Sequence, residues 1–246
     1  MEISKKGLHL VVPGDYLKTL ENCEGYYQCP LDENGKPLGP VVGYTADYDV
    51  GDGSKKKWVG LTYYNFSKAD VWPEVLSYFA AKMVCILEEK GLAPDLIVGA
   101  PWAGIKFSQE VARQLGCRHI FAEKKGEEII LGRYEGEIHP NDYVLIGEEL
   151  VNNLSTTWKL MRLIESVRAR VIGIACAVNR SHPLKTEYWD AGPSGHIPVV
   201  SVIERETPQY RQDDPVVAEA ISSGNFVPKP KYGWAKLKEA MEKYRE

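Results

Sequence analysis

Between residues 95 and 205 the chain alternates short aliphatic runs with amphipathic segments of helical period, and this alternation restricts the fold more than any other feature. Leu96-Ile97-Val98, His119-Ile120-Phe121, Tyr143-Val144-Leu145-Ile146, Val171 to Val178 and Val199 to Ile203 are short, continuously apolar and rich in β-branched residues, as strands buried on both faces are. Lys106 to Leu115, with Phe107, Val111 and Leu115 on one side, and a segment from about Ser155 to Ser166 read as helices. Ahead of them, Pro73 followed by Val75, Leu76, Phe79, Ala80, Met83, Val84 and Leu87, with Gly91 just beyond, predicts an amphipathic helix. The order predicts an α/β fold with a mainly parallel sheet covered by helices on both faces. Such sheets bind ligands at the carboxyl ends of their strands.

The remaining sequence bounds the organisation. With 246 residues, 44% hydrophobic and 26% charged, the chain can bury one large core, and a single domain over 1–246 is expected: an N-terminal hood over 1–70, an α/β core over 71–205, and a tail with a terminal helix over 206–246. Residues 14–70 are rich in Tyr, Gly, Pro and Asp, with turn chemistry at Asp32-Glu33-Asn34-Gly35-Lys36-Pro37 and at Asp47-Tyr48-Asp49-Val50-Gly51-Asp52-Gly53, and so predict hairpins and loops. The net charge of -4 gives no global attraction to nucleic acid or anionic lipid, so neither partner is expected and any phosphate must be held locally. The start Met1-Glu2-Ile3-Ser4-Lys5-Lys6 lacks the pattern of a secretory leader and no apolar run is long enough to span a bilayer, which predicts a cytoplasmic location. The five cysteines and five histidines show no zinc-ligand spacing.

Two strand-to-helix connections carry chemistry. Gly99-Ala100-Pro101-Trp102-Ala103-Gly104-Ile105 follows the first predicted strand, and its small residues allow amide groups to approach an anion at the next helix N-terminus; a plain tight turn explains the same residues. The apolar run Val144 to Gly147 leads into Glu148-Glu149 and then Leu150-Val151-Asn152-Asn153-Leu154-Ser155-Thr156-Thr157. Two adjacent carboxylates at a buried strand's exit require cations or hydroxyls to meet them, unless they are simply solvated. Ser155 or Thr156 is expected to cap the following helix.

That second segment resembles the phosphoribosyl pyrophosphate (PRPP) motif of type I phosphoribosyltransferases, in which an apolar strand precedes two acidic residues and a Thr-Thr-Gly-Gly-Ser/Thr loop. The resemblance covers about Asp95 to Gly233: Asp95 to Gly99 through Ala103-Gly104-Ile105 is similar to the pyrophosphate loop, and Phe121-Ala122-Glu123-Lys124-Lys125 with Leu131-Gly132-Arg133 to the mobile-loop region. Val178-Asn179-Arg180-Ser181 and the tail Ile221 to Pro230 resemble the orotate phosphoribosyltransferase subgroup. This chain departs from the motif where Asn152 and Asn153 replace the paired threonines and Leu154 and Ser155 replace the two glycines, which makes the PRPP loop degenerate.

The resemblance implies transfer of ribose-5-phosphate from PRPP to orotate or another nucleobase, with release of pyrophosphate and with Mg2+ as cofactor. It implies that Glu148 and Glu149 engage the ribose hydroxyls, directly or through magnesium and water; that Asn152, Asn153, Leu154, Ser155 and Thr156 cradle the 5-phosphate; and that Ala103 and Gly104 belong to the pyrophosphate loop. Lys124 or Lys125 stabilises the leaving group and Arg180 binds the orotate carboxylate, a role suited to a planar guanidinium. A homodimer is implied as well. Two readings compete: a non-catalytic or regulatory PRPP- or nucleotide-binding protein, motivated by the altered loop, and an enzyme for another base, motivated by Trp102 and residues 14–70. Lys124 and Lys125 also fit a solvated pair, Arg180 a structural ion pair, and Tyr63-Tyr64-Asn65 either a base pocket or core packing.

Overall fold

The structure, a computed structural model, describes residues 7–189, 192 and 194–244. The first six residues, on which the expectation of no leader rests, lie outside the described range. The strands are β1 (Tyr26–Gln28), β2 (Val41–Asp49), β3 (Lys55–Gly60), β4 (Thr62–Tyr64), β5 (Leu96–Gly99), β6 (Arg118–Phe121), β7 (Glu123–Lys125), β8 (Glu128–Ile130), β9 (Tyr143–Val151), β10 (Arg170–Asn179), β11 (Glu187–Trp189), β12 (His196–Glu204) and β13 (Phe226–Val227). The α-helices are α1 (Tyr16–Asn22), α2 (Pro73–Glu89), α3 (Gly104–Leu115), α4 (Ser155–Ser166), α5 (Ala218–Ser222) and α6 (Trp234–Lys243).

The chain divides into two compact units, one of residues up to Thr19 with Phe66–Glu206, the other of Leu20–Asn65 with residues from Thr207 onward. In the first unit a six-stranded sheet has the order β11-β12-β10-β9-β5-β6. All its pairings are parallel except β11 with β12. The pleat sorts β9 by face. Val144 and Ile146 share one core with Leu160, Met161 and Ile164 of α4, whereas Gly147 lies against Ser108 of α3 on the opposite face. Helices on both faces bury every central strand, which explains the unbroken apolar runs.

In the second unit β13 pairs in parallel with β2 and β2 pairs antiparallel with β3, so the C-terminal segment completes a sheet begun near residue 41. Val59 and Tyr210 exchange both backbone hydrogen bonds, at 3.0 and 2.8 Å. Tyr27, Cys29, Val42, Tyr44, Val227 and Leu237 form its core, with Tyr63 packed against them. The hairpins expected in 14–70 are present; Leu20–Asn65 of that segment groups with the tail, and the unit boundaries fall at 19/20, 65/66 and 206/207. Among the described residues no helix is long and apolar enough to cross a membrane.

Candidate functional site

The acidic pair lies inside a strand. The expectation that Glu148 and Glu149 begin a loop is corrected: β9 runs on to Val151, with Glu148 opposite Cys176 and Leu150 opposite Val178 of β10. Adjacent residues of a strand point to opposite faces, so the two carboxylates are separated by the sheet. Glu148 shares the face of Val144 and Ile146 and accepts a hydrogen bond from Thr157 Oγ1 of α4 at 3.0 Å. Glu149 shares the face of Gly147, where the Phe66 and Ser67 amides and Lys106 favour its charged form and Asp70 opposes it.

Burial pushes the Glu148 carboxyl up to about 7, reinforced by the charge of Glu149 and opposed by the Thr157 hydroxyl and by Lys124. Burial also raises Glu149 to about 7, with Asp70 acting in the same direction and the Ser67 and Phe66 amides and Lys106 opposing. Asp70 is itself paired with Lys106 at 3.0 Å. Among the described residues no group of three or more His, Cys, Asp or Glu side chains is placed to hold a metal ion. Mg2+ demands near-octahedral oxygen ligation, and carboxylates on opposite faces cannot share it. The two glutamates therefore do not form a protein-built magnesium cage.

Beyond β9, Asn152-Asn153-Leu154 forms the turn into α4. Leu154 occupies the left-handed region at φ 64° and ψ 13°, a conformation glycine adopts freely and leucine rarely does. Its side chain is buried in the core with Val151, Leu160 and Met161. The expected cap by Ser155 or Thr156 is replaced: Leu154 stands at the cap position, and Asn153 Oδ1 accepts the Ser155 N–H at 3.2 Å. The first turn of α4 therefore turns Ser155 and Thr156 into a cavity of about 340 Å³, whose other walls are Lys124, Gly126, Glu127, Ile129 and Lys159. Lys159 Nζ donates to the Glu127 carbonyl at 2.8 Å and ties α4 to the β7–β8 hairpin. A helix N-terminus with two hydroxyls and two lysines is suited to an anion.

Not every expected residue joins this cavity. Lys124 does, and its charge acts on Glu148; Lys125, its neighbour along β7, is exposed and not part of the lining. The β5–α3 connection leaves Ala103 and Trp102 exposed and contains a cis Pro101–Trp102 peptide. A Cβ on Gly104 would collide with the Gly147 carbonyl, so its small size serves the packing of α3 on β9. Arg180, 8% exposed, follows β10, its N–H bonded to the Val151 carbonyl at 2.9 Å. Flanking it, Asn179 Oδ1 accepts from Ser181 Oγ at 2.8 Å while Asn179 Nδ2 donates to the Lys185 carbonyl at 2.8 Å, which sets the loop that carries the guanidinium. The sequence reading missed Thr157 and Lys159; their positions at the third and fifth residues of the predicted helix were the available signal.

No family model matches the chain. An orotate phosphoribosyltransferase from Maricaulis maris is 31% identical over 157 residues, spanning 63% of this chain and 75% of the relative. Another from a Thermoanaerobacter species is 28% identical over 161 residues, or 65% of this chain and 79% of the relative. A solved orotate phosphoribosyltransferase from Aeropyrum pernix is 13% identical, with a TM-score of 0.49 and coverage of 77% of this chain and 93% of that one. On these relatives, the chain belongs to the type I phosphoribosyltransferase family and stands close to the orotate phosphoribosyltransferases.

Proposed function

We propose that the protein transfers ribose-5-phosphate from magnesium-bound PRPP to orotate and releases pyrophosphate. The observation that carries this reading is the convergence of the α4 N-terminus, Ser155, Thr156 and Lys124 on one cavity beside Glu148. In this reading the 5-phosphate rests on the first turn and hydroxyls of α4, and Lys124, which lines the same cavity, offsets the charge of that phosphate instead of the leaving group that the resemblance implied for it. Glu148 accepts the ribose hydroxyls, where its carboxylate also stabilises the positive charge that develops on the sugar as pyrophosphate departs. The exposed Trp102-Ala103 turn would meet the pyrophosphate, with Gly104 giving its own N–H to the Ala100 carbonyl at 3.1 Å, and magnesium, when bound with PRPP, would offset the charge of the leaving group. Arg180 pairs with the orotate carboxylate. No side-chain nucleophile takes part, so positioning and electrostatics supply the acceleration.

The rival reading of a non-catalytic binder drew its force from Leu154. Its side chain lies in the core and its backbone keeps the left-handed geometry, so the loop retains the glycine-like path. The test is turnover of magnesium-PRPP with orotate, adenine, hypoxanthine and uracil in turn, followed by pyrophosphate release. Orotate-dependent release is expected. Binding of PRPP without release from any base would establish the binder, and release with a different base alone would reassign the acceptor. Light scattering tests the homodimer implied by the family.

A further inference from the structure

Lys159 stands one helical turn beyond Ser155 and Thr156 on α4, so the three side chains share a face of the helix while Thr157 and Leu160 turn into the core. All three line the cavity of about 340 Å³ that Lys124 enters from the β7–β8 hairpin. Lys125 pairs with Glu128 across that hairpin, so Gly126 and Glu127 form its turn. The Glu127 carbonyl accepts the Lys159 Nζ–H at 2.8 Å. A carbonyl is a neutral partner: it holds the ammonium beside the cavity without cancelling its charge, and an ammonium keeps further donors for a ligand. Among the described residues the lining carries two lysines against one glutamate, and Glu127 meets Lys159 through its backbone.

Two features of this cavity call for a second cation. A phosphomonoester carries about −1.5 to −2 charges at pH 7, of which one lysine offsets roughly half. The start of α4 also has less to give than an uncapped helix, because Asn153 Oδ1 already takes the Ser155 N–H at 3.2 Å. We infer that Lys159 is a further substrate-binding residue, which donates from α4 to the 5-phosphate of PRPP so that Lys124 and Lys159 together hold it as a dianion. This rests on the phosphoribosyl-transfer reading of the cavity and adds to it a residue outside the motif that carries the family resemblance.

The test uses the full chain as wild type, Lys159→Gln, Lys159→Met and Lys159→Arg, titrated by calorimetry with magnesium-PRPP, with ribose-5-phosphate and with magnesium-pyrophosphate. Lys159→Gln keeps an N–H for the Glu127 carbonyl without the charge, and Lys159→Met removes both. Each is expected to weaken magnesium-PRPP and ribose-5-phosphate about tenfold, the scale of a lost charge-assisted hydrogen bond, and to flatten the salt dependence of binding. Magnesium-pyrophosphate, which lacks the 5-phosphate, should change by less than about twofold. Lys159→Arg keeps the charge and recovers most of the affinity. Because Lys159 is exposed, thermal unfolding midpoints of all four proteins should nearly coincide. Lys159→Gln that binds as wild type while Lys159→Met binds weakly would make the lysine a tether for the hairpin and overturn the inference. Equal losses for ribose-5-phosphate and magnesium-pyrophosphate would overturn it as well, by placing the cation at the leaving group. Wild type that binds neither magnesium-PRPP nor ribose-5-phosphate overturns the functional reading and the inference together, whereas wild-type binding with every variant indifferent removes the inference alone.

Discussion

Glu148→Gln should make the protein more stable at alkaline pH while weakening its ligand. Burial raises this carboxyl from an ordinary value of 4.5 to about 7 in the folded chain. The folded state thus holds the proton more tightly than the unfolded chain. The favourable contribution is fully present below about pH 4.5 and is lost as pH climbs through 7. At ~1.4 kcal/mol per pH unit, ionising Glu148 at pH 8 costs the fold about 3 kcal/mol at most. Glutamine is never charged, keeps an oxygen for the Thr157 hydroxyl and leaves the shape intact. Urea unfolding at a series of pH values from 5 to 8.5 should show the variant and wild type differing by less than about 1 kcal/mol at the acid end and diverging in favour of the variant toward pH 8.5. A slope remains in the variant, because Glu149 is raised as well. Parallel curves for the two proteins would refute the argument that this carboxyl is carried at a cost. A charge retained against stability within reach of Lys124 is what a ligand-binding role would select.

Leu154→Gly relieves a left-handed leucine, about 1 kcal/mol, and forfeits a buried side chain, about 3 kcal/mol, so chemical denaturation should show a net loss of about 2 kcal/mol with PRPP affinity retained; a gain in stability would mean the side chain packs poorly. Gly104→Ala should destabilise by 2 kcal/mol or more, roughly, since the new Cβ meets the Gly147 carbonyl and forces α3 away from β9; thermal unfolding checks it. Lys124→Ala should weaken magnesium-PRPP about tenfold and flatten its salt dependence, whereas Lys125→Ala changes either by less than about twofold, because only Lys124 lines the cavity. Equal effects of the two alanine variants in calorimetry would place the phosphate elsewhere.

Local chemistry made much of the first unit legible. Pro73 at the first turn and Gly91 beyond the end bracket α2 because a fixed φ suits a helix start and a left-handed residue suits its close. The aliphatic runs became parallel strands because burial on both faces removes any need for alternation. The PRPP segment was readable since its apolar strand, acids and polar turn are contiguous. Reading stopped where the sign depended on distant partners. The strand was expected to end at Gly147 because charged residues usually mark an exit, yet β10 supplies hydrogen-bonding partners through Val151.

The sequence by itself determined the class of sheet, the family motif and the residue types available for chemistry, all properties set by near neighbours along the chain. Tertiary structure decided which side of the sheet each glutamate faces, because only the packing of α3 and α4 gives those sides different chemistry. It decided that Leu154 points into the core, since a left-handed backbone aims its Cβ by the contacts available there. And it joined residues 20–65 to the segment after 207 through β2 and β13, a pairing between strands of only partial periodicity that no local signal announces.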